Sequence, residues 1–343
     1  MPTVIRHASA RHQVHLPVAG PRRTVAALVF LVGAVLVGTT IVNNLFKVGP
    51  SFEGLIDDFR PHLSSAQIAT ARADIAQLGA AGAEIQTTMI PAMAEQLGMT
   101  PAQFSAYVAA KYPQVASGMQ SLPQITTTFN GLIGTLDQQR PLFRSADAIP
   151  TKDLPATTVP WGLLAAGVLT MAVGAVVWFS PRPGAVLALV LGALLVVASL
   201  VMSLPQKASD ADKLNRNLKP VYTAAMLTEA HGALATVSAM GGELQNTMLP
   251  ALATQLKMEP AQLQQFLGQN FPATAAALQS MPASMGRFQA LVFAFDDNLS
   301  NYNTLKPVEF VPIIWTLLIA GAVTAALGLV ILATPKHRAV TIG

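Results

Sequence analysis

The sequence predicts an all-α integral membrane protein with four transmembrane helices and two homologous extracytoplasmic helical bundles, arranged as a tandem parallel repeat. The first observation behind this fold class is composition. The chain has 343 residues, of which 52% are hydrophobic and only 11% charged, whereas about 25% of the residues in soluble domains are charged. The second observation is a set of four uncharged apolar stretches. The third is an internal repeat, with an offset of 159 residues over its clearest part.

The four apolar stretches cover residues 24–42, 160–179, 184–204 and 311–333. Each contains about 20 residues, which is the length of helix that crosses a hydrocarbon layer of ~30 Å. The first stretch could be a signal peptide, but its apolar run is longer than that of a signal peptide, and residues 43–47 lack a small-residue cleavage pattern. We therefore expect it to remain as a membrane anchor.

The distribution of charge predicts the orientation of the spans. Basic residues without any acidic neighbour occur in the N-terminal segment 1–23, in the turn 180–183 and in the tail 334–343. All 17 acidic residues lie in the two long loops, 43–159 and 205–310. Because positively charged segments stay in the cytoplasm, we expect a multi-pass plasma membrane protein with both termini inside and both loops outside. The net charge of +4 then reflects topology, and no nucleic acid partner is expected.

The internal repeat aligns residues 82–137 with residues 241–296 without a gap, and 22 of these 56 positions are identical. The repeat unit consists of a span, an outer domain and a second span. Both copies then enter the membrane in the same direction. This pattern predicts a parallel repeat, related by an axis along the membrane normal.

Both loops have the apolar spacing of packed helices, in which apolar residues recur at alternating intervals of three and four. These positions are Ile68, Ala71, Ile75, Leu78, Gly82, Ile85 and Met89 in the first loop, and Leu227, Ala230, Leu234, Val237, Gly241, Leu244 and Met248 in the second. Pro91 and Pro250 are expected to kink or end these helices, and Thr100 is expected to cap the next one. Each loop is therefore predicted to form an antiparallel bundle of about four helices.

One segment of the first loop also shows a family resemblance. From Met99 to Pro123, the chain reads Met-Thr-Pro-Ala-Gln-Phe, followed by Lys-Tyr-Pro and then Ser-Leu-Pro. This pattern resembles segments of uncharacterised, duplicated four-span membrane proteins of actinobacteria, and the resemblance covers both outer domains. It implies the same membrane layout and carries no assigned activity.

The sequence contains no recognisable catalytic or metal-binding constellation. Cysteine is absent, and the two histidines of the loops, His62 and His231, do not align in the repeat. No span contains an ionisable residue, although proton relays and ion-coupled carriers use such residues within the membrane. We therefore expect a non-enzymatic protein without a cofactor or a metal ion.

Two sets of residues are candidates for contacts. The first set consists of methionines and prolines that are retained in both copies, and it predicts a flexible apolar surface for a partner or ligand. The alternative is that the methionines fill the core of the outer domains. The residues of this set are Met89, Pro91, Met99, Pro101, Met248, Pro250, Met258 and Pro260. Small residues at intervals of four predict close helix packing in the membrane; they are Gly162, Ala166, Thr170, Gly174, Gly184, Ala188, Gly192, Thr316, Ala320, Thr324 and Gly328. Glu84 and Glu243, also retained, are expected to make a polar contact within the bundle or to contact a ligand.

Two functions are compatible with these features. The first is that of an accessory or scaffold subunit of a cell-envelope assembly, in which the outer domains dock a membrane or envelope protein. The alternative is a protein that binds or helps to transport a lipid or another hydrophobic solute. An apolar cavity of several hundred Å³ in the outer domains would favour the alternative.

Overall fold

A computed structural model describes residues 21–151 and 153–334 of the chain. The described residues are predominantly helical, as predicted. The helices are α1 (Pro21–Val42), α2 (Leu45–Phe59), α3 (Ser65–Glu84), α4 (Ile90–Gln96), α5 (Pro101–Lys111), α6 (Pro113–Asp147), α7 (Thr158–Phe179), α8 (Pro181–Val201), α9 (Leu204–Leu218), α10 (Ala224–Glu243), α11 (Leu249–Leu256), α12 (Pro260–Asn270), α13 (Pro272–Asp297), α14 (Leu299–Leu305) and α15 (Phe310–Ala333).

The chain divides into two compact units. One, here called the span unit, consists of the described residues within Met1–Thr40, Gly162–Val201 and Trp315–Gly343. The other, here called the loop unit, consists of Ile41–Trp161 and Met202–Ile314. Most of the predicted basic segments 1–23 and 334–343 lie outside the described residues.

The four predicted spans are helices α1, α7, α8 and α15. All four are long and apolar enough to cross a membrane, which confirms the prediction of four candidate spans in a multi-pass protein. Helix α8 begins three residues earlier than predicted, at Pro181, because a proline in the first helical turn gives up no hydrogen bond. It ends at Val201, shortly before Ser203, whose φ of 54° is left-handed. Most of the predicted turn 180–183 is therefore helical.

Helix starts in the loop unit follow the local sequence. The Ser64 hydroxyl accepts a hydrogen bond from the N–H of Gln67 at the start of α3. Thr223 caps α10 in the same way. At the start of α5 the predicted capping box is present, since Thr100 Oγ1 accepts from the N–H of Gln103 at 3.2 Å and Gln103 Oε1 accepts from the N–H of Thr100 at 2.9 Å. These caps satisfy N–H groups that have no partner within the helix.

The chain remains helical at Pro91 and Pro250, so neither proline ends the helix. A π-helical turn precedes each proline, at Ile85–Met89 and at Leu244–Met248. Proline lacks an N–H group, and its ring clashes with the carbonyl four residues earlier in an α-helix. The wider π turn shifts this carbonyl and lets the helix continue.

The two loops build the loop unit together. Helices α3 and α10 each pack against both α6 and α13, so two helices from each loop form a ring of four; α2 packs against α14, and α6 against α9. At the core, Phe59 lies against Phe143 of its own loop and against Phe295 of the other loop, with ring centroids 5.9 and 4.8 Å apart respectively. Where two separate bundles were expected, helices of both loops share one core, because the apolar faces of each loop are covered largely by helices of the other.

The predicted helix seams face this core. Ile68, Ile75 and Leu227 are buried. A Cβ atom on Gly82 would lie 3.0 Å from Leu122 Cδ1, so α3 and α6 approach closely at this glycine. Gly82 belongs to the predicted seam, so the seam of α3 meets α6 at this position.

Candidate functional site

The loop unit contains an apolar cavity of about 260 Å³. Both loops contribute to its walls, and five of the lining residues are methionines: Met89, Met119, Met240, Met248 and Met281. No Asp, Glu, Lys, Arg or His side chain lines it within the described part of the chain. An apolar cavity of about 150 Å³ holds one benzene molecule, so this cavity has room for roughly ten carbon atoms on the same scale.

The two π-helical turns supply much of the cavity wall. Ile85 and Met89 line the cavity from the first turn, and Leu244 and Met248 line it from the second. Met89 and Met248 are each only 4% exposed. Because a π turn widens the helix locally and redirects its side chains, the prolines that follow these turns help to determine the shape of the cavity.

Glycine allows a methionine to lie across helix α6 at the cavity wall. A Cβ atom on Gly118 would lie 2.5 Å from Met240 Sδ and 2.7 Å from Met240 Cβ. Both distances are too short for a real side chain, so only glycine fits beside this methionine. Met240 lines the cavity. The residue that aligns with it in the other copy, its repeat mate, is Ala81. The methionine is therefore not retained in both copies, and the repeat did not mark it as a candidate contact residue.

The cavity opens on the side of the first loop. The lining residues that are exposed to solvent all belong to this loop; they are Gln86, Ser105, Ala109 and Gln120. Gln245, the repeat mate of Gln86, does not line the cavity and donates a hydrogen bond to the carbonyl oxygen of Leu278 at 3.4 Å. The lining residues from the second loop are buried or half-buried.

Glu84 and Glu243 join the two loops reciprocally beside the cavity. Glu84 accepts hydrogen bonds from the N–H groups of Thr274, at 2.7 Å, and Ala273, at 3.3 Å, in the first turn of α13. Glu243 accepts a hydrogen bond from the N–H of Val115, at 2.8 Å, in the first turn of α6. Helices α6 and α13 have no side-chain cap of their own, so each carboxylate acts as an N-terminal cap from the other loop. The expected polar contact is therefore present, and it connects the two loops.

The environment of Glu84 favours its ionised form. Partial burial acts to raise the pKa of Glu84, but the hydrogen bonds from Thr274 and Ala273 outweigh this effect and leave the pKa below its ordinary value. Glu84 therefore stabilises the fold above the unfolded-state pKa of about 4.3. This contribution is lost as the pH falls through the lower folded-state pKa.

We expect Glu84→Gln to destabilise the loop unit at neutral pH by about 1 kcal/mol, the usual cost of losing a helix cap. The difference from the wild type should disappear at pH values below the folded-state pKa of Glu84. Thermal unfolding of the purified protein across a pH series measures both effects. Glu95→Gln, on the exposed side of α4, is the control. Equal melting temperatures of wild type and Glu84→Gln at pH 7 would contradict this role of Glu84.

A second contact between the loops is an ion pair. Asp74 on α3 accepts hydrogen bonds from Arg287 Nε and Nη2 on α13, both at 2.8 Å, and from the Ser284 hydroxyl at 2.9 Å. The Asp74 side chain is 7% exposed, and all these partners lie in the other loop. Removing one member of such a pair leaves a buried charge unpaired, so this contact favours one relative position of α3 and α13.

The histidines of the loops lie apart from the cavity lining. His231 Nε2 is 2.5 Å from Asp296 Oδ2. Burial lowers the pKa of His62. Among the described residues, no group of three His, Asp or Glu side chains is placed to hold a metal ion.

The predicted contact residues in the loops separate into two groups. Met89 and Met248 line the cavity and are buried. The other six do not line it: Pro91, Pro101, Pro250 and Pro260 are exposed, and Met99 and Met258 are half-buried. Two of the four retained methionines, Met89 and Met248, therefore line the cavity, and the other two, Met99 and Met258, do not.

The predicted packing residues of the span unit also differ in their contacts. A Cβ atom on Gly174 would lie 2.7 Å from the backbone nitrogen of Phe30, and one on Gly192 would lie 2.5 Å from the carbonyl oxygen of Gly321. Gly162 faces open space, so its predicted contact is absent among the described residues. The other predicted residues are buried, except for half-buried Thr316: Ala166, Thr170, Gly184, Ala188, Ala320, Thr324 and Gly328.

The sequence prediction missed three glycines of the same contacts. A Cβ atom on Gly33 would lie 2.6 Å from the carbonyl oxygen of Gly167, and one on Gly321 would lie 3.0 Å from that of Gly192. These glycines lie outside the intervals of four on which the prediction was based. Gly33 aligns with Gly192 in the repeat, and Gly167 aligns with Gly321 at the offset of 154 residues that relates the second span to the fourth. The repeat therefore held a signal for all three glycines.

Comparison with known proteins does not assign this chain to a family. No family model, no curated protein and no solved structure matches it. Its function therefore has to be inferred from the cavity and the helices that surround it.

Proposed function

We propose that this protein is a non-enzymatic, membrane-anchored binding protein that holds an apolar molecule, a lipid or another hydrophobic solute, in the cavity of the loop unit. The single observation that carries this proposal is the methionine-rich cavity of about 260 Å³, without a charged side chain in its described lining. Methionine side chains are flexible and polarisable, and they adapt to apolar ligands of different shape.

The apolar lining favours an apolar ligand. The cavity is open to solvent on the side of the first loop, so a ligand would displace water from its methionine-rich wall. Each methylene that is buried in this way contributes about 0.8 kcal/mol.

This value sets the expected affinity. A chain of about ten carbons could gain up to about 8 kcal/mol from burial. Part of this gain is lost because binding restricts the motion of the ligand. A dissociation constant in the micromolar to millimolar range is therefore expected. Such an affinity suits a protein that binds and releases its ligand.

The proposal is tested with a substitution that blocks the mouth of the cavity. Ala109 lines the mouth and is exposed, so Ala109→Trp should obstruct the cavity without disturbing the core. Ala110, also exposed on α5, does not line the cavity, and Ala110→Trp is the matched control. Each variant is labelled in membranes with a photoactivatable diazirine derivative of decanol, and the labelled peptides are identified by mass spectrometry.

We expect the probe to label peptides that contain Met89 or Met248 in the wild type and in Ala110→Trp. Labelling of these peptides should fall at least about tenfold in Ala109→Trp, which corresponds to a loss of about 1.4 kcal/mol in binding. Labelling confined to the span helices in the wild type, or unchanged labelling in Ala109→Trp, would contradict the proposal.

The proposal includes an orientation in which both loops lie outside the cytoplasm, both termini lie inside, and the two copies form a parallel repeat in the plasma membrane. Its support is the restriction of all 17 acidic residues to the loops. Because the chain lacks cysteine, single cysteines at Ser117 and Ala276 should react with an impermeant thiol reagent in intact cells, and one at Ala10 should not. Labelling at Ala10 with protection of the other two would reverse the orientation.

A docking role for the loop unit in a cell-envelope assembly stays a prediction. Pro91 and Pro250 are exposed and available to a partner. Their neighbours Met89 and Met248 point to the cavity function instead, because they are buried in its wall.

A further inference from the structure

The ligand class can be narrowed from the shape of the cavity. The exposed lining residues all belong to the first loop, and Gln245 of the second loop is hydrogen-bonded to Leu278 at the equivalent position. A ligand therefore enters from one side, and one end of it remains at the mouth. The volume of about 260 Å³ accommodates a single chain of roughly ten carbons. A lipid with two long chains would not fit.

The polar side chains at the mouth indicate which functional group the ligand has at the end that lies there. Gln86 and Gln120 present side-chain amides at the mouth, and Ser105 presents a hydroxyl. None of the three side chains has a hydrogen-bond partner within the described part of the chain, and all three residues are exposed. Amides and hydroxyls can each donate and accept. They are therefore able to bind a hydroxyl, ester or amide group.

Charged groups are poorly matched to this mouth. No lysine or arginine lines the described cavity to pair with a carboxylate or phosphate, and no acidic residue lines it to pair with a cation. The nearest carboxylate by sequence, Glu84, is already occupied by the N–H groups of Thr274 and Ala273. Moving a charge from water towards an apolar site without a partner is unfavourable. An uncharged head is therefore preferred.

Resting on the proposed function, we infer that the ligand is a single-chain amphiphile whose chain fills the methionine-lined cavity and whose uncharged head forms hydrogen bonds with Gln86 and Gln120 at the mouth. The flexible methionines tolerate variation in the chain. The two glutamines select the head.

The experiment measures competition against the diazirine probe on the full-length protein in lipid nanodiscs. The competitors are decan-1-ol, decanoate and decyltrimethylammonium, and their amounts are expressed as mole fraction in the bilayer, so that unequal partitioning does not affect the comparison. We expect decan-1-ol to displace the label at a mole fraction about tenfold lower than either charged compound, because the described lining offers no partner for a charged head. Lengthening the alcohol beyond about ten carbons should give no further gain.

The variants test the role of the two amides. Gln86→Leu combined with Gln120→Leu should raise the mole fraction of decan-1-ol needed for displacement by about fivefold or more, since the alcohol loses its hydrogen bonds to the two amides. Gln279→Leu is the matched control, because Gln279 aligns with Gln120 in the repeat, is exposed, and does not line the cavity. This control should keep the wild-type response to decan-1-ol.

The outcomes distinguish failure of the proposed function, ligand binding in the cavity, from failure of the inference about an uncharged head. If none of the three compounds displaces the label, the cavity does not bind apolar molecules and the proposed function fails. If all three displace it equally well, or if a charged compound is preferred, the cavity binds ligand but the inference about an uncharged head is overturned. The inference is also overturned if decan-1-ol displaces the label from the double glutamine variant at the wild-type mole fraction.

Discussion

Replacing Ile75 with aspartate is expected to unfold the whole loop unit, including helices of the second loop. Ile75 is 3% exposed and lies in one layer of side chains with Phe129, Leu234 and Phe288, which come from the other three helices of the ring. The rings of Phe129 and Phe288 are 4.7 Å apart between centroids. An unpaired carboxylate in this layer should cost several kcal/mol.

The same result is expected for Leu234→Asp, because the two residues are repeat mates in one shared layer. Thermal or denaturant unfolding of each variant should show loss of the cooperative transition of the loop unit. Ala76→Asp and Ala235→Asp place the same charge on the exposed side of the same helices and should melt near the wild type. Retention of the native transition in Ile75→Asp, or unfolding of only one loop, would contradict the shared core.

Replacing Gly174 with leucine is expected to disrupt the packing of α1 against α7. A Cβ atom at this position would lie 2.7 Å from the backbone nitrogen of Phe30, and a backbone atom cannot move aside as a flexible side chain can. Because close packing between small residues is a main source of helix association in a bilayer, we expect a loss of about 2 kcal/mol or more in stability.

Gly162→Leu is the matched control on the same helix, since a Cβ atom on Gly162 would meet no atom within 4 Å. The measurement is the melting temperature and the yield of monodisperse protein in a mild detergent. We expect a clear decrease for Gly174→Leu and wild-type behaviour for Gly162→Leu. Equal behaviour of the two variants would show that α1 and α7 do not depend on this contact.

The four candidate spans and the buried helix faces could be predicted from the sequence. Hydropathy located the four long apolar helices to within about three residues, because a helix that crosses a bilayer has to be uncharged and about 20 residues long. The three-and-four spacing identified buried residues such as Ile75 and Leu234 correctly. The capping box at Thr100 was also predictable, because it depends only on residues close in sequence.

The sharing of the core between the loops could not be predicted in this way. Periodicity shows which face of a helix is buried and does not show which helix covers it. The two copies are similar in sequence, so a helix of one copy can pack against either copy. Glu84 and Glu243 did indicate a polar contact in the sequence, because an acidic residue retained beside a buried seam needs a partner. Their partners are backbone N–H groups of the other loop, which leave no trace in the sequence.

The cavity was only partly predictable. Retained methionines indicated adaptable apolar surface at Met89 and Met248, and both line the cavity. The empty space itself depends on the π-helical turns before Pro91 and Pro250, where the sequence had suggested a kink or an end. The mouth depends on differences between the copies, such as the free amide of Gln86 against the bonded amide of Gln245.

Native mass spectrometry of the purified protein in the presence of excess decan-1-ol tests the central claim most directly, because the expected micromolar to millimolar affinity requires added ligand. We predict that the wild type and Ala110→Trp each bind one decan-1-ol molecule per chain, and that Ala109→Trp, with its blocked cavity mouth, binds none. Wild-type protein at the mass of the chain alone, or the same bound molecule retained by Ala109→Trp, would contradict a ligand in the methionine-lined cavity.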